Sequence, residues 1–480
     1  MNTTKARILQ YLIVTLYFIA CESLSQRIFK VGLIGGGASG MFAACSAAST
    51  GKECQASGKI EVHVLEASPK LMAKVEVSGG GRCNVLHDTS KPVSNLLNGY
   101  PRGKKELHGL LHKHFTPKNA EEWFRSRGVD LKTESDGRMF PQTDSSQTIM
   151  NCIIDTAKQD GVQIRTRHKV SRVQYIDSGD SDSKPFIVEY LDENKQSEIQ
   201  AFDAIIVATG SNPLGYDIAS SLQHTIIPPV PSLFTFNTKN QNKDGQVFHG
   251  LAGVSVPIAR TTLKIKIPNK KKPKIINQEG PLLITHHGLS GPAVLRLSAF
   301  AAREMKELNY QTEVSIHWAP EFGSTQDIEE VLWRMTSISP KKAVSSVCPL
   351  LIQDEEGAST SAIPRRLWSA LCTESGIDKS IIWGEASKKK ISVLARNIAE
   401  FKADVTGKGV FKDEFVTAGG ISLKEINMKT MESKLVKGLY FCGEVLDVDG
   451  ITGGFNFMNC WSTGYVSGKS AVESLLLGNQ

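Results

Sequence analysis

The stretch RIFKVGLIGGGASGMFAACSAAS, residues 27–49, decides how the rest of the chain is read. Ile28 to Ile34 is a short apolar run with β-branched residues, as in a parallel strand buried on both faces. Gly35-x-Gly37-x-x-Gly40 follows, and Met41 to Ser49 is rich in alanine and other small residues, as in a tightly packed helix. A strand, this glycine pattern and a helix, in that order, are the context of a dinucleotide-binding fingerprint. Gly35 permits the turn, Gly37 lets a pyrophosphate approach the backbone, and Gly40 lets the helix lie close on the sheet. Ala38 and Ser39 stand at the helix N-terminus, whose free N–H groups and positive dipole favour phosphate.

Outward from that stretch, IEVHVLEAS reads as a second strand ending near Glu66, 26 residues after Gly40. An acid there can accept from ribose hydroxyls, and the polar stretch at 50–58 explains the long spacing. The fingerprint alone does not separate NAD from FAD. Two later features point to FAD. Ala208-Thr209-Gly210 ends the buried run DAIIVATGS, and Gly443-Glu444 ends the strand GLYFCGE, where a carboxylate would meet the ribityl chain. No second Gly-x-Gly-x-x-Gly occurs, so NADH or NADPH would be a transient electron donor. Thr452-Gly453-Gly454-Phe455-Asn456 opens the last helix, and its N–H groups would stabilise negative charge on a reduced flavin. Asp447 and Asp449 lack a third ligand at metal spacing and read as a loop beside the flavin, with Asp449 among the cofactor residues. No metal is expected.

The run Ser78-Gly79-Gly80-Gly81-Arg82-Cys83-Asn84 reads as a loop laid against FAD. Gly80 and Gly81 would allow close approach, with Arg82 and Asn84 as polar contacts. Cys83 has no Cys-x-x-Cys partner, which argues against a dithiol mechanism. Whether it faces the isoalloxazine or the core is open at this stage. Val170, in VQIRTRHKVSRV, joins the cofactor-binding set. No catalytic acid or base stands out. His112 and His114, and His286 and His287, are weak candidates for metal or proton chemistry.

The chain has 480 residues and a net charge of +7, with the basic residues scattered. Nine irregularly spaced cysteines fit reduced thiols rather than a disulfide framework. The densest basic run, Lys264 to Lys274, motivates an alternative reading as a flavin-containing RNA-associated protein. The favoured reading expects a small-molecule substrate and no nucleic acid. Residues 1–27 have the layout of a signal or targeting leader, which would give the secretory pathway or an organelle, and otherwise the cytoplasm. No stable membrane span is expected once it is removed, and the oligomeric state is not indicated.

The fold class expected is α/β: an FAD-binding domain over 28–225 and 405–480, interrupted by a β-rich insertion at 226–324 and a helical subdomain at 325–404. Several blocks resemble the BaiN/YhiN-type family of FAD-dependent oxidoreductases. They are IGGGASGMFAA (34–44), VSGGGRCNV (77–85), GRMFPQT (137–143), THHGLSGPAVLRLS (285–298), the long block at 417–456 and STGYVSGKSA (462–471). The resemblance implies a Rossmann-like domain of glutathione-reductase type, an inserted β-barrel-like domain and a small helical domain. It also implies hydride transfer through flavin N5, either reducing an unsaturated small molecule with NAD(P)H or oxidising an amine with oxygen. The chain departs from the family at Ala208-Thr209-Gly210-Ser211, where the following loop is shorter.

Overall fold

The apolar run Ile28–Ile34 is the central strand of a seven-stranded sheet. It pairs in parallel with Lys59–Leu65 on one side and Ala204–Val207 on the other. Gln163–Arg165 and Leu439–Phe441 extend the two flanks, also in parallel. Ile426–Asn427 and Glu432–Ser433 finish one edge in antiparallel. Val31, Leu33, Ile206 and Phe441 are fully buried, because helices cover both faces of a parallel sheet. The described residues are 27–54, 59–176, 184–239, 247–266, 272–353, 357–409 and 416–477 of a computed structural model. The expected leader, apart from Arg27, and the middle of the lysine run lie outside them.

The first helix, Ala38–Glu53, runs past Ser49 and packs against the last helix, Phe455–Leu477. Their backbones touch. A Cβ on Gly464 would lie 2.6 Å from the Ser39 carbonyl oxygen, and one on Gly468 2.2 Å from that of Ala43. The alanine-rich pattern of the first helix is thus one side of a small-residue interface, reinforced by Ser46 Oγ donating to Tyr465 O at 2.7 Å. Before Ala204–Val207 the chain forms a three-stranded antiparallel sheet, Lys169–Tyr175, Phe186–Leu191 and Ser197–Phe202.

The β-rich insertion closes into a six-stranded barrel. Its order is Phe236–Thr238, Gly288–Ser290, Lys274–Ile284, Ser255–Ile265, Thr312–His317 and Phe401–Lys408. Helices Thr325–Ile338, Arg365–Glu374 and Lys388–Ala399 share one apolar core with this barrel, around Trp318, Trp368 and Trp383. The barrel and the helices are therefore one packed unit. Two expected boundaries shift for physical reasons. The division at 404/405 cuts a barrel strand, since Phe401–Lys408 pairs with Thr312–His317. The proline-containing run Ile226–Ser232 is no barrel strand; it pairs with Val416–Ile421 as a two-stranded connector. Among the described residues, no helix is long and apolar enough to cross a membrane.

A buried ion pair of the FAD-binding domain is hydrogen-bonded to both the connector and the barrel unit. Asp449 is wholly buried and binds Arg102 through both carboxylate oxygens. Ser232 Oγ, on the connector, donates to the same carboxylate at 2.8 Å, and Arg102 Nη2 donates to Ala299 O at 2.7 Å, on the barrel side. Burial pushes the Asp449 carboxyl above its ordinary range, and Arg102 and Ser232 oppose that shift. The expected cofactor role of Asp449 is thereby corrected: its side chain is committed inside the protein. Asp449→Leu strands the guanidinium and should cost about 3 kcal/mol or more in the first urea transition. Adding Arg102→Met should restore most of the loss. A double variant no more stable than the single one would contradict this account.

Candidate FAD site

The nucleotide end is built by the turn after the central strand. Gly35 has φ of +104°, and a Cβ there would meet Ala208 O at 2.6 Å, so the turn nests against the Ala208-Thr209-Gly210 backbone. A Cβ on Gly40 would lie 2.0 Å from Gly35 O, which explains why the third glycine is required. Gly37 differs: nothing lies within 4 Å of its Cβ position. It is the N-cap of the first helix, no side chain caps that terminus, and no acid stands in the first turn. The N–H groups beyond Gly37, including those of Ser39 and Gly40, thus form an open, electropositive cradle of the kind a pyrophosphate fits.

Glu66 leaves the second strand beside this cradle. Its Oε2 accepts from Gly36 N and its Oε1 from Ser68 N, each at 2.7 Å. Those bonds fix the carboxylate while further lone pairs remain for ribose hydroxyls. His168 N donates to Glu66 O at 2.8 Å, which brings the start of the strand carrying buried Val170 to the same corner. Opposite, Ser39 Oγ donates to Cys442 O at 3.4 Å, and Gly443 N donates to Thr463 Oγ1 at 2.9 Å. Glu444 lies across from Gly210, where a Cβ would sit 3.6 Å from its Oε2. It accepts from Thr417 N at 3.0 Å and pairs with Lys74 at 2.9 Å. Thr209 Oγ1 is buried without a hydrogen-bond partner among the described residues. An open helix end, an orphaned hydroxyl and two fixed carboxylates fit the phosphate, ribose and ribityl groups of FAD.

At the other end, the turn Gly453-Gly454 is pressed onto Leu86. A Cβ on Gly454 would lie 2.2 Å from Leu86 O. Phe455 is buried and stacks on His87 at 4.6 Å between centroids, and Tyr100 Oη donates to Phe455 O at 2.8 Å. His87 Nδ1 lies 3.0 Å from Gly453 O, so the proton is on Nδ1 in the neutral ring and Nε2 carries the lone pair. Burial lowers the His87 pKa below the usual histidine value. The Asn456 amide clamps Gly450, donating to its carbonyl at 2.9 Å and accepting from its N–H at 2.8 Å.

The SGGGRCN run folds back as a tight turn in which Gly79, Gly80, Gly81 and even Cys83 have positive φ. No atom lies within 4 Å of a Cβ on Gly80 or Gly81, so that face is open. The polar contacts expected from Arg82 and Asn84 are corrected. Arg82 pairs with Glu134 at 2.8 Å and Asp144 at 3.3 Å and lies over the Phe140 ring. The Asn84 amide donates to Leu86 O and accepts from Gly454 N, so it ties this loop to the turn before the last helix. Cys83 is fully covered by protein atoms, which places its thiol in the core and not on the flavin. Burial pushes that thiol up to about 12. His87, Lys74 and Thr417 were not foreseen. They carry no motif of their own and become visible only through contact with Gly453 and Glu444.

Two outcomes are expected. Gly37→Val should leave the melting temperature of the flavin-free protein unchanged, because its Cβ meets nothing, yet the purified protein should be colourless. Visible flavin absorbance at wild-type level would refute the cradle. Cys83 should resist alkylation by iodoacetamide at pH values near neutrality in the folded protein and react on denaturation. Rapid native labelling at Cys83, mapped by mass spectrometry, would overturn its core placement.

Residues 29–470 match the family described as HI0933-like protein Rossmann domain. The ribosomal RNA dihydrouridine synthase of Haemophilus influenzae is 30% identical, covering 91% of this chain and 97% of that protein. The 3-dehydro-bile acid delta(4,6)-reductase of Clostridium scindens is 27% identical, covering 92% and 99%. The ribosomal RNA dihydrouridine synthase of Escherichia coli is 26% identical, covering 93% and 98%. The chain belongs to the HI0933-like Rossmann-domain family and is an FAD-dependent oxidoreductase.

Proposed function

We propose that this enzyme reduces a carbon–carbon double bond conjugated to a carbonyl, with NADH or NADPH as the source of electrons. The observation that carries the reading is what the named activities of the relatives share. Forming dihydrouridine and reducing a 3-dehydro-bile acid both saturate a ring C=C bond in conjugation with a C=O group. Bound FAD supplies two-electron chemistry through N5 of the isoalloxazine. The chain's own part is binding and orientation. The cradle at Gly37 and the carboxylates Glu66 and Glu444 would hold the nucleotide and ribityl ends. The start of the last helix, where Gly454 N–H is taken by Asn84, would present the N–H groups of its first turn beyond Gly454 to the flavin. The buried thiol of Cys83, which is in no disulfide among the described residues, argues for flavin chemistry without a protein dithiol. Amine oxidation with oxygen is disfavoured because none of the named activities is an oxidation of an amine.

A second reading follows from the two relatives named as RNA-modifying enzymes: the conjugated bond is that of uracil within RNA. The lysine run fits it, since Lys264, Lys266, Lys272 and Lys274 lie at the end of one barrel hairpin. Lys274 pairs with Glu304. Stopped-flow spectroscopy separates the readings. NADH or NADPH should bleach the flavin, and one acceptor should restore its colour: cyclohexenone and a 3-oxo-4-ene steroid for the first, a uridine-containing RNA for the second. Bleaching by neither nucleotide, or reoxidation by oxygen alone, would sink the reductase reading.

A further inference from the structure

The stretch KKELHGLLHKHFTPK, residues 104–118, has four lysines and three histidines against one acid, Glu106. The cofactor site makes no use of it. It folds as the helix Lys104–Gly109, continued by the wider turn Leu110–His114. Leu107, Leu110 and Leu111 are wholly buried, so the leucines form the inner side. Lys104, Lys105, His108, His112, Lys113 and His114 are all exposed, so the basic residues share the outer side. Among the described residues, Lys104, Lys105, Lys113 and Lys118 enter no ion pair, and Lys104 donates to Asn98 Oδ1 at 2.6 Å. On the barrel hairpin, by contrast, Lys274 is taken by Glu304.

Distances fix where this basic helix sits. Gly103 caps its start with φ of +79°, and a Cβ there would lie 2.6 Å from Val448 Cγ2. Just before it, Gly99 O accepts from Ile451 N at 2.8 Å, and a Cβ on Gly99 would lie 2.4 Å from the Phe455 ring. At the far end, Phe115 stacks on Tyr465 with 4.0 Å between centroids. The basic helix therefore starts beside the Gly453-Gly454 turn and follows the last helix away from it, over roughly 15 Å. The lysine-rich start of Lys388–Ala399, in the barrel unit, has no such link to the glycine turn among the described residues.

We propose that this outer side binds the phosphate backbone of a single-stranded RNA whose uracil enters at the glycine turn, a role that rests on the RNA reading of the enzyme given above. A uracil in RNA differs from a free enone in its flanking phosphates. Each neighbouring nucleotide brings one negative charge, so an enzyme acting on such a base needs cations beside the entrance and not inside it. The base must leave its stack to meet the flavin, which favours a single strand. Lysine meets phosphate as a compact, hydrated charge and needs no fixed geometry, which suits an exposed helix side. Between the lysines, the His108 and His112 rings lie 4.4 Å apart between centroids, and exposed rings of this kind are surfaces on which unpaired bases stack.

The test is fluorescence anisotropy of a labelled, uridine-containing single-stranded RNA with the FAD-loaded enzyme over a series of salt concentrations. Wild type is compared with Lys104→Gln/Lys105→Gln/Lys113→Gln and with the hairpin control Lys264→Gln/Lys266→Gln. Each phosphate contact on a single strand contributes about 0.7 to the slope of log affinity against log salt. The triple variant should therefore lose about 2 from that slope and bind roughly 10- to 100-fold more weakly at about 0.1 M salt, with flavin content and melting temperature unchanged. Wild-type affinity and slope in the triple variant would overturn the proposal. So would a loss confined to the hairpin control, which moves the contact to the barrel, or binding of wild type to anionic phospholipid vesicles and not to RNA. Failure of the RNA reading itself shows differently: the bleached flavin would not regain its colour with uridine-containing RNA, whatever the anisotropy result.

Discussion

The contact on which the structure depends is the backbone-to-backbone packing of the first helix against the last. Gly464 and Gly468 lie against Ser39 O and Ala43 O with no room for a Cβ. Because the helices touch at main-chain distance, their N-termini are fixed relative to one another. One terminus, at Gly37, is the cradle at the nucleotide end. The other, at Gly454, is the end proposed to face the flavin. The separation of the two anion-friendly helix ends is therefore set by small residues more than 400 positions apart in the chain. Van der Waals contact between backbones leaves little slack, so a site spread along the cofactor can be held without a large loop rearrangement.

That arrangement requires the insertion to leave and rejoin the sheet domain without disturbing it. The connector Ile226–Ser232 with Val416–Ile421 does so as a short antiparallel pair, and its Ser232 hydroxyl feeds the buried Asp449–Arg102 pair. A buried ion pair of this kind is a poor source of net stability. Its value is directional. Arg102 can satisfy Asp449 and Ala299 O together only in one placement of the barrel helix, so the pair sets where the barrel helix meets the glycine turn.

The elements legible in the sequence were those with local signals. The strand, glycine turn and helix at 28–53 carry period, composition and spacing together, and the ATG and Gly-Glu turns mark strand ends whose conformation glycine alone allows easily. The barrel boundary at 401–408 was not legible, because Phe401–Lys408 alternates like any half-buried strand and only its pairing with Thr312–His317 assigns it. Polar side chains misled more than glycines. Arg82, Asn84, Asp449 and Asn456 stand in cofactor-like motifs, yet each is committed to a protein partner. A motif records that a residue type is needed at a place. It does not say whether the need is the ligand or the loop that carries it.

The converse holds for His87, which stands in no motif yet meets the glycine turn. It lies more than 300 positions from Gly453 and is brought to it by the short strand Leu86–His87, paired with Arg138–Pro141, and by the stack with Phe455. Its Nδ1 is used on Gly453 O, so Nε2 keeps a lone pair. Such a residue carries no local signal, because its place is set by strand pairing and ring stacking between distant segments. Only the folded chain shows which of its bonds are spent and which remain.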